Sequence, residues 1–137
     1  MAPRLDPGAF VEAAADLGLV YGVNDCLMMP ANWILAARGV DPATPWRGRY
    51  DCPAGAARLI IEAGGQQALM AAGCEAAGCA PADPAAPPVG AVGMVWGPVA
   101  DTLALMGAVR LASGWAVLSD QGITVAKFAT VAAWEVL

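Results

Sequence analysis

The chain has 137 residues and a net charge of −5, with seven Lys and Arg against twelve Asp and Glu, and it contains no histidine. So few cations on an acidic chain exclude the phosphate backbone of nucleic acid as an expected partner. Hydrophobic residues make up 58% of the sequence, enough for one domain with a sizeable core, yet no apolar run reaches ~18 residues without a charge, a proline or clustered glycine, so no membrane span is expected.

Met1-Ala2-Pro3-Arg4-Leu5-Asp6 has no basic region followed by an apolar core, and Glu12 and Asp16 interrupt the segment behind it. A secretory signal is therefore not expected, and synthesis in a bacterial cytoplasm is. Asp6-Pro7 reads as an N-cap with proline at the first helical position. The helix it opens runs to Asp16 or Leu17, with Phe10, Val11, Ala14 and Leu17 at helical spacing, and Gly18 ends it.

Next comes Tyr21-Gly22-Val23-Asn24-Asp25-Cys26. Asn24 and Asp25 are both good N-cap residues, Cys26 opens a helix over residues 26–38, and Gly39 closes it. Pro30 decides the register, because proline is tolerated only in the first turn. Either the regular helix starts near Pro30 or its first turn is irregular. Met28 and Met29 are read as core filling. Residues 41–50 form a stiff loop in which Trp46 and Tyr50 pack while Arg47 and Arg49 stay polar. Asp51-Cys52-Pro53 caps a helix over 54–62, Gly64-Gly65 stops it, and a short helix over 66–72 follows.

Residues 74–90 are rich in Ala, Pro and Gly and mark a crossing within a single domain, from a helical half (1–73) to a β-rich half (91–137). Strand-like runs are expected at 92–96, 102–106, 109–112, 115–119, 123–125 and 134–137. Gly97-Pro98, Gly107, Ser113-Gly114 and Gln121-Gly122 punctuate them, and residues 127–133 have the composition of a helical turn. Helices followed by an antiparallel meander give an α+β class, with the helices on one side of the sheet.

The most chemically suggestive residue is Cys26. A cysteine in the first turn of a helix meets free N–H groups and the positive end of the dipole, which favours a thiolate. Two roles stay open at this point, a nucleophile or a small buried residue at a helix start. Asp25 and Asp101 are the candidate carboxylate helpers, although a carboxylate close to a thiol raises its pKa. A zinc site without histidine would need Cys26, Cys52, Cys74 and Cys79 together, or carboxylates, and the Cys74–Cys79 spacing is not that of a zinc knuckle. No metal and no cofactor are expected. Cys74 and Cys79 are read as small loop residues that oxidation would let pair.

Asn24-Asp25-Cys26, Trp33, Gly39, Asp41-Pro42, Arg47-Gly48-Arg49-Tyr50, Gly55-Ala56-Ala57-Arg58, Gly64-Gly65 and Ala133-Trp134-Glu135-Val136 together resemble the NlpC/P60 cysteine peptidases, a papain-like fold. More closely, they resemble a phage-associated group of small NlpC/P60-like proteins. The resemblance implies helices packed on a small antiparallel sheet. In active members it implies a cysteine at the helix start that attacks a peptide carbonyl, and a histidine on a later strand that takes its proton. Here Cys26 meets the first requirement and no residue meets the second. Leu27-Met28 replaces the Ser-Gly that usually follows the nucleophile, and Gly90-Ala91 replaces the Gly-Asp that opens the sheet half.

The expectation is a structural or assembly component of a phage or gene-transfer-agent tail, in the tip or hub region, on a catalytically degenerate NlpC/P60-like fold. Its partners would be other tail proteins, or further copies of itself in threes or sixes, and it would reside in the particle. Trp46 and Trp96, with Arg47 and Arg49, are the candidate interface residues. The alternative is an active peptidase or amidase acting on peptidoglycan peptides through Cys26.

Overall fold

A computed structural model describing residues 5–137 places four helices ahead of six strands. The reading of residues 1–4 as part of no export signal lies outside the described residues. Helix α1 (Pro7–Leu17) begins as its cap chemistry dictates. Asp6 Oδ1 accepts the Gly8 N–H at 2.9 Å, proline follows the cap, and Gly18 ends the helix at φ 77°. Helix α2 (Met28–Arg38) ends on Gly39, whose left-handed φ of 72° sends its N–H back to the Leu35 carbonyl. Helix α3 (Pro53–Glu62) is capped by Cys52, whose sulfur accepts the Gly55 N–H at 3.4 Å. Helix α4 (Gln66–Ala76) runs a full turn beyond the expected 66–72. Its last turns bury Gly73 and Cys74, and Gly73 is pressed so closely on Pro42 that a Cβ would stand 3.0 Å from the Pro42 carbonyl oxygen.

The strands are β1 (Pro81–Ala82), β2 (Val92–Val99), β3 (Thr102–Leu111), β4 (Gly114–Ser119), β5 (Gly122–Ala126) and β6 (Thr130–Trp134). They form one sheet in the order β1-β6-β2-β3-β4-β5, with every neighbouring pair antiparallel. The α+β class therefore holds, with four helices and a six-stranded antiparallel sheet.

Three expectations about the strands are corrected. Gly97-Pro98 does not turn the chain. Both lie inside β2, and the two-residue turn is Ala100-Asp101, where Ala100 takes a φ of 54°. Proline is tolerated there because the β6 ladder ends at Val95, so the outer edge of β2 needs no donor at Pro98. Gly107 does not break β3, which pairs with β2 without interruption from Thr102 to Val109. Residues 127–133 are not helical; they lead into β6 (Thr130–Trp134), which pairs with β2, so of the expected strand 134–137 only Trp134 is part of it.

The sheet separates two cores. One face carries Val92, Met94, Val109, Ala116, Leu118 and Trp134 against Val11 and Ala14 of α1, Met29, Trp33 and Ile34 of α2, and Met70 and Cys74 of α4. Three helices thus share that face. Trp33 is fully buried and donates its indole N–H to the Gly90 carbonyl at 2.7 Å, which pins α2 to the start of the β half. The opposite face holds Val95, Met106, Ala108, Trp115, Val117 and Ala133. Its ring of Trp115 lies directly over Gly93, where a Cβ would approach Cη2 to 2.5 Å. A third cluster of Leu27, Met28, Trp46, Tyr50, Leu59 and Leu69 joins α2, the 41–50 loop, α3 and α4.

Arg38 closes the structure from the other end. Its guanidinium donates to the carbonyls of Ala77, Gly78 and Val136, joining the C-terminus of α4 to the end of the chain. Among the described residues no helix is long and apolar enough to cross a membrane.

Candidate functional site

Asp25 organises the segment ahead of α2. Its Oδ1 accepts the N–H groups of Leu27 (2.9 Å) and Met28 (2.8 Å), and its Oδ2 accepts the Gly22 N–H (2.9 Å) and the Tyr50 hydroxyl (2.6 Å). The regular helix begins at Met28, and the residue before it, Leu27, makes no side-chain cap. Asp25 therefore caps α2 from two residues further back. Pro30 falls third in the helix, where its missing N–H has no intrahelical partner to lose. Asn24 fixes the other side of the turn by donating to the carbonyls of Ala14 and Gly18 at the end of α1.

This arrangement leaves Cys26 outside the helix proper, so the expected help from the dipole is reduced. The residue is partly exposed, at a cleft of about 190 Å³ lined by Tyr21, Asp25, Leu27, Tyr50, Ile60, Met106 and Leu118, with Ser119 and Asp120 at the end of β4. The Gln66 side-chain amide donates to the sulfur at 3.7 Å, and the backbone amide of Gly107 also meets it. Gly107 can do so because the β3–β4 ladder covers only Val109↔Ala116 to Leu111↔Gly114. Below Val109 the two strands part and leave the β3 edge open toward Cys26.

These donors do not make a thiolate. Burial of the sulfur first, and the negative charge of Asp25 second, push the Cys26 thiol up to about 11. Tyr50 is also raised, by burial and by its hydrogen bond to Asp25, so its hydroxyl stays protonated and serves as a donor. The cleft brings Cys26, Asp25, Tyr50 and Gln66 together, and Asp25 has its acceptor capacity taken up by four donors.

Asp101 is not among them. It is exposed in the β2–β3 turn and does not line the cleft, so the structure does not bring it to Cys26. Gln66 was not anticipated as a site residue. Its position directly after Gly64-Gly65, which aims α4 at the α2 start, was the available signal.

Of the candidate interface residues, Trp46 is corrected. It is only 6% exposed and packs in the third cluster, so its ring is not offered to a partner. A proline-stiffened loop can fold back on the helices and bury its aromatic side chain, and this loop does. Trp96 is 45% exposed. Arg49 donates to the Pro45 carbonyl at 3.2 Å within its own loop. Arg47 forms a two-point pair with Asp41 (Nε to Oδ2 2.8 Å, Nη2 to Oδ1 2.9 Å) and donates to Asn32 Oδ1 at 2.8 Å. Asn32 in turn donates to the Val23 carbonyl, so the pair latches the 41–50 loop to α2 and to the turn before Asp25.

The Arg47 guanidinium beside Asp41 holds that carboxyl below its ordinary value. A carboxyl depressed in the folded state contributes stability above its unfolded pKa, near 4, and loses it as pH falls through the folded value. Arg47→Met should therefore cost at most about 1 kcal/mol at neutral pH, and the gap from wild type should shrink toward zero on acidification below about pH 4. Urea unfolding at several pH values reads this directly. A gap that stays constant with pH assigns the loss to Arg47 packing.

Among the described residues no group of three metal-ligating side chains is assembled. No curated protein and no solved structure matches this chain. A family model described as Domain of unknown function (DUF6950) matches residues 3–136, and the chain belongs to that family.

Proposed function

We propose that the chain is a non-catalytic structural or assembly component of a phage-like particle, at its tail, built on a degenerate NlpC/P60-like fold. The observation that carries the non-catalytic part is the state of Cys26. Its thiol is held neutral by burial and by Asp25, and the strand position in contact with it is a glycine that offers an amide instead of a base. A cysteine hydrolase needs a thiolate and a proton carrier, and general acid–base help alone is worth roughly 10²–10⁴-fold in rate. The placement in a tail rests on the sequence resemblance to phage-associated NlpC/P60-like proteins.

The surface is compatible with assembly. The outer part of the β2–β3 hairpin extends past the last pairs made with β6 and β4, and there Trp96, Val99 and Leu103 are 45%, 37% and 65% exposed. An apolar two-stranded arm of this kind suits insertion into a neighbouring subunit. Quantitative mass spectrometry of purified particles from producing cells tests the proposal. A fixed stoichiometry of three or six copies supports it, and absence from particles while the protein is abundant in the cell overturns it. Leu103→Lys should change unfolding free energy by less than about 0.5 kcal/mol yet reduce incorporation into particles. Undiminished incorporation removes the arm from the interface.

The enzymatic alternative rests on the cleft that opens beside Cys26. Thiol reactivity separates the two readings. With a pKa raised from 9.0 to about 11, the thiolate fraction near pH 7 falls about 100-fold. The greater nucleophilicity of a more basic thiolate recovers only part of that, which leaves alkylation at least about 10-fold slower in the native protein than in urea. Rapid native labelling of Cys26 at about pH 6 would favour the enzyme.

A further inference from the structure

Arg38 and Arg49 donate to main-chain carbonyls and Arg47 is paired with Asp41. Two other cations, Arg110 and Lys127, stand together at a different place. They face a groove of about 420 Å³ between the proline loop that follows β1 and the β5–β6 connection, which shares no lining residue with the Cys26 cleft. Pro84 and Pro87 form one wall, and Phe128 and Thr130 form the other. Neither cation makes a salt bridge among the described residues, in a chain whose net charge is −5 and which has Lys127 as its only lysine. The one acid of the adjoining loop, Asp83, turns its carboxylate onto the Ala85 N–H at 2.9 Å.

The Arg110 side of the groove is rigidly built. The Arg110 backbone donates to the Ala91 carbonyl and accepts from the Gly90 N–H, each at 2.8 Å. Its guanidinium carbon lies 5.7 Å from the centre of the Trp115 ring. That ring is itself fixed, because Trp115 Nε1 donates to Thr130 Oγ1 at 2.8 Å and Thr130 Oγ1 donates on to the Phe128 carbonyl at 3.4 Å. A guanidinium supported on an aromatic face is pre-oriented, so little rotamer freedom remains to be lost on binding. Its planar fork matches a carboxylate at two points, and an ammonium alongside adds charge without directional demand.

We propose that this groove binds an acidic peptide segment, with a carboxylate on Arg110 and Lys127 and the peptide chain lying between the two prolines and Phe128. Charge complementarity selects the anion. At about 420 Å³ the groove is far larger than a bare ion needs, and its largely polar lining suits the main chain of a peptide, which selects an organic chain over an ion. The site stands independently of the particle reading.

The test is a titration of the full, ¹⁵N-labelled protein with a short capped peptide of alternating alanine and glutamate, followed by the Arg110 Nε–H and Trp115 indole N–H resonances. Both should shift saturably, and the glutamine version of the peptide should leave them in place. Arg110→Gln with Lys127→Gln should weaken binding at least about fivefold, and Lys127→Gln alone, at an exposed position, about twofold or more. The single variant keeps the test decisive if the double variant fails to fold. Raising the salt concentration should weaken binding further. Equal binding of the glutamine peptide, unchanged affinity in Lys127→Gln, or no shift at about 10 mM peptide overturns the proposal. So does inorganic phosphate binding as tightly as the peptide, which would make the groove a simple anion site.

Discussion

Asp25→Ala is expected to lower the unfolding free energy by about 4 kcal/mol. The carboxylate is 3% exposed and accepts four hydrogen bonds, from the amides of Gly22, Leu27 and Met28 and from the Tyr50 hydroxyl. Loss of an N-cap acceptor alone costs roughly 0.5–2 kcal/mol. Leaving a buried donor without a partner costs about 1–3 kcal/mol more for each donor that water cannot reach. The cleft admits some water, so the sum falls short of the maximum, yet it remains a large share of the roughly 5–15 kcal/mol available to a domain. Tyr50→Phe removes one of the four bonds and should cost about 1.5–3 kcal/mol. Asp25→Asn should fall between the two, because an amide oxygen can still cap Leu27 and Met28 while its NH₂ opposes the Gly22 N–H. Urea unfolding orders the three variants.

The asparagine variant also carries a chemical readout. Removing the charge of Asp25 takes away the second cause of the raised Cys26 pKa and leaves burial in place. Native alkylation of Cys26 should therefore speed up modestly while remaining slower than in urea. If Asp25→Ala cost less than about 1 kcal/mol and labelling were unchanged, the carboxylate would be free for a chemical role.

Helix boundaries were legible wherever the cap chemistry is local. Asp6-Pro7, Cys52-Pro53 and Gly39 each act through bonds to residues within four positions, and a sequence displays such bonds directly. The strand half was less legible because its signals are long-range. Pro98 and Gly107 read as breaks, but both sit in strands at places where a neighbouring ladder has ended, and no local pattern reveals where a ladder ends. Residues 130–133 are mostly small, and their extended state is imposed by pairing with β2 about 40 residues away. The site divides the same way. Asp25-Cys26 was visible as a cap beside a thiol. The inversion of that thiol's expected acidity was not, because burial depends on α3, α4 and β3 closing around it. Asp101 has the right chemistry in the wrong place, at the tip of a hairpin whose turn lies three residues beyond the Gly97-Pro98 that marks one in the sequence.

Gly107→Ala should cost about 3 kcal/mol, although alanine is otherwise the better strand residue by roughly 0.5–1 kcal/mol. A Cβ at this position would stand 2.3 Å from the Cys26 carbonyl oxygen, 3.0 Å from Pro30 Cγ and 3.1 Å from Met70 Cε. The methionine can move aside. The carbonyl and the proline belong to the turn that Asp25 caps, so they move only if the whole α2 start lifts from β3. Gly97→Ala provides the contrast. Its nearest obstacle is Met106 Sδ at 2.8 Å, the flexible part of a side chain, and the loss there should stay below about 1.5 kcal/mol. Lifting α2 would also open the cleft around the sulfur, so Gly107→Ala should raise the native labelling rate of Cys26 where Gly97→Ala should not. If both variants cost the same and Cys26 stays protected in each, then β3 and the Cys26 turn are not in the close contact described. If Gly107→Ala behaves as expected, the strand position beside the cysteine has no room for a Cβ. A base carried by any side chain at that position, histidine included, is then sterically excluded by the packing of backbone on backbone.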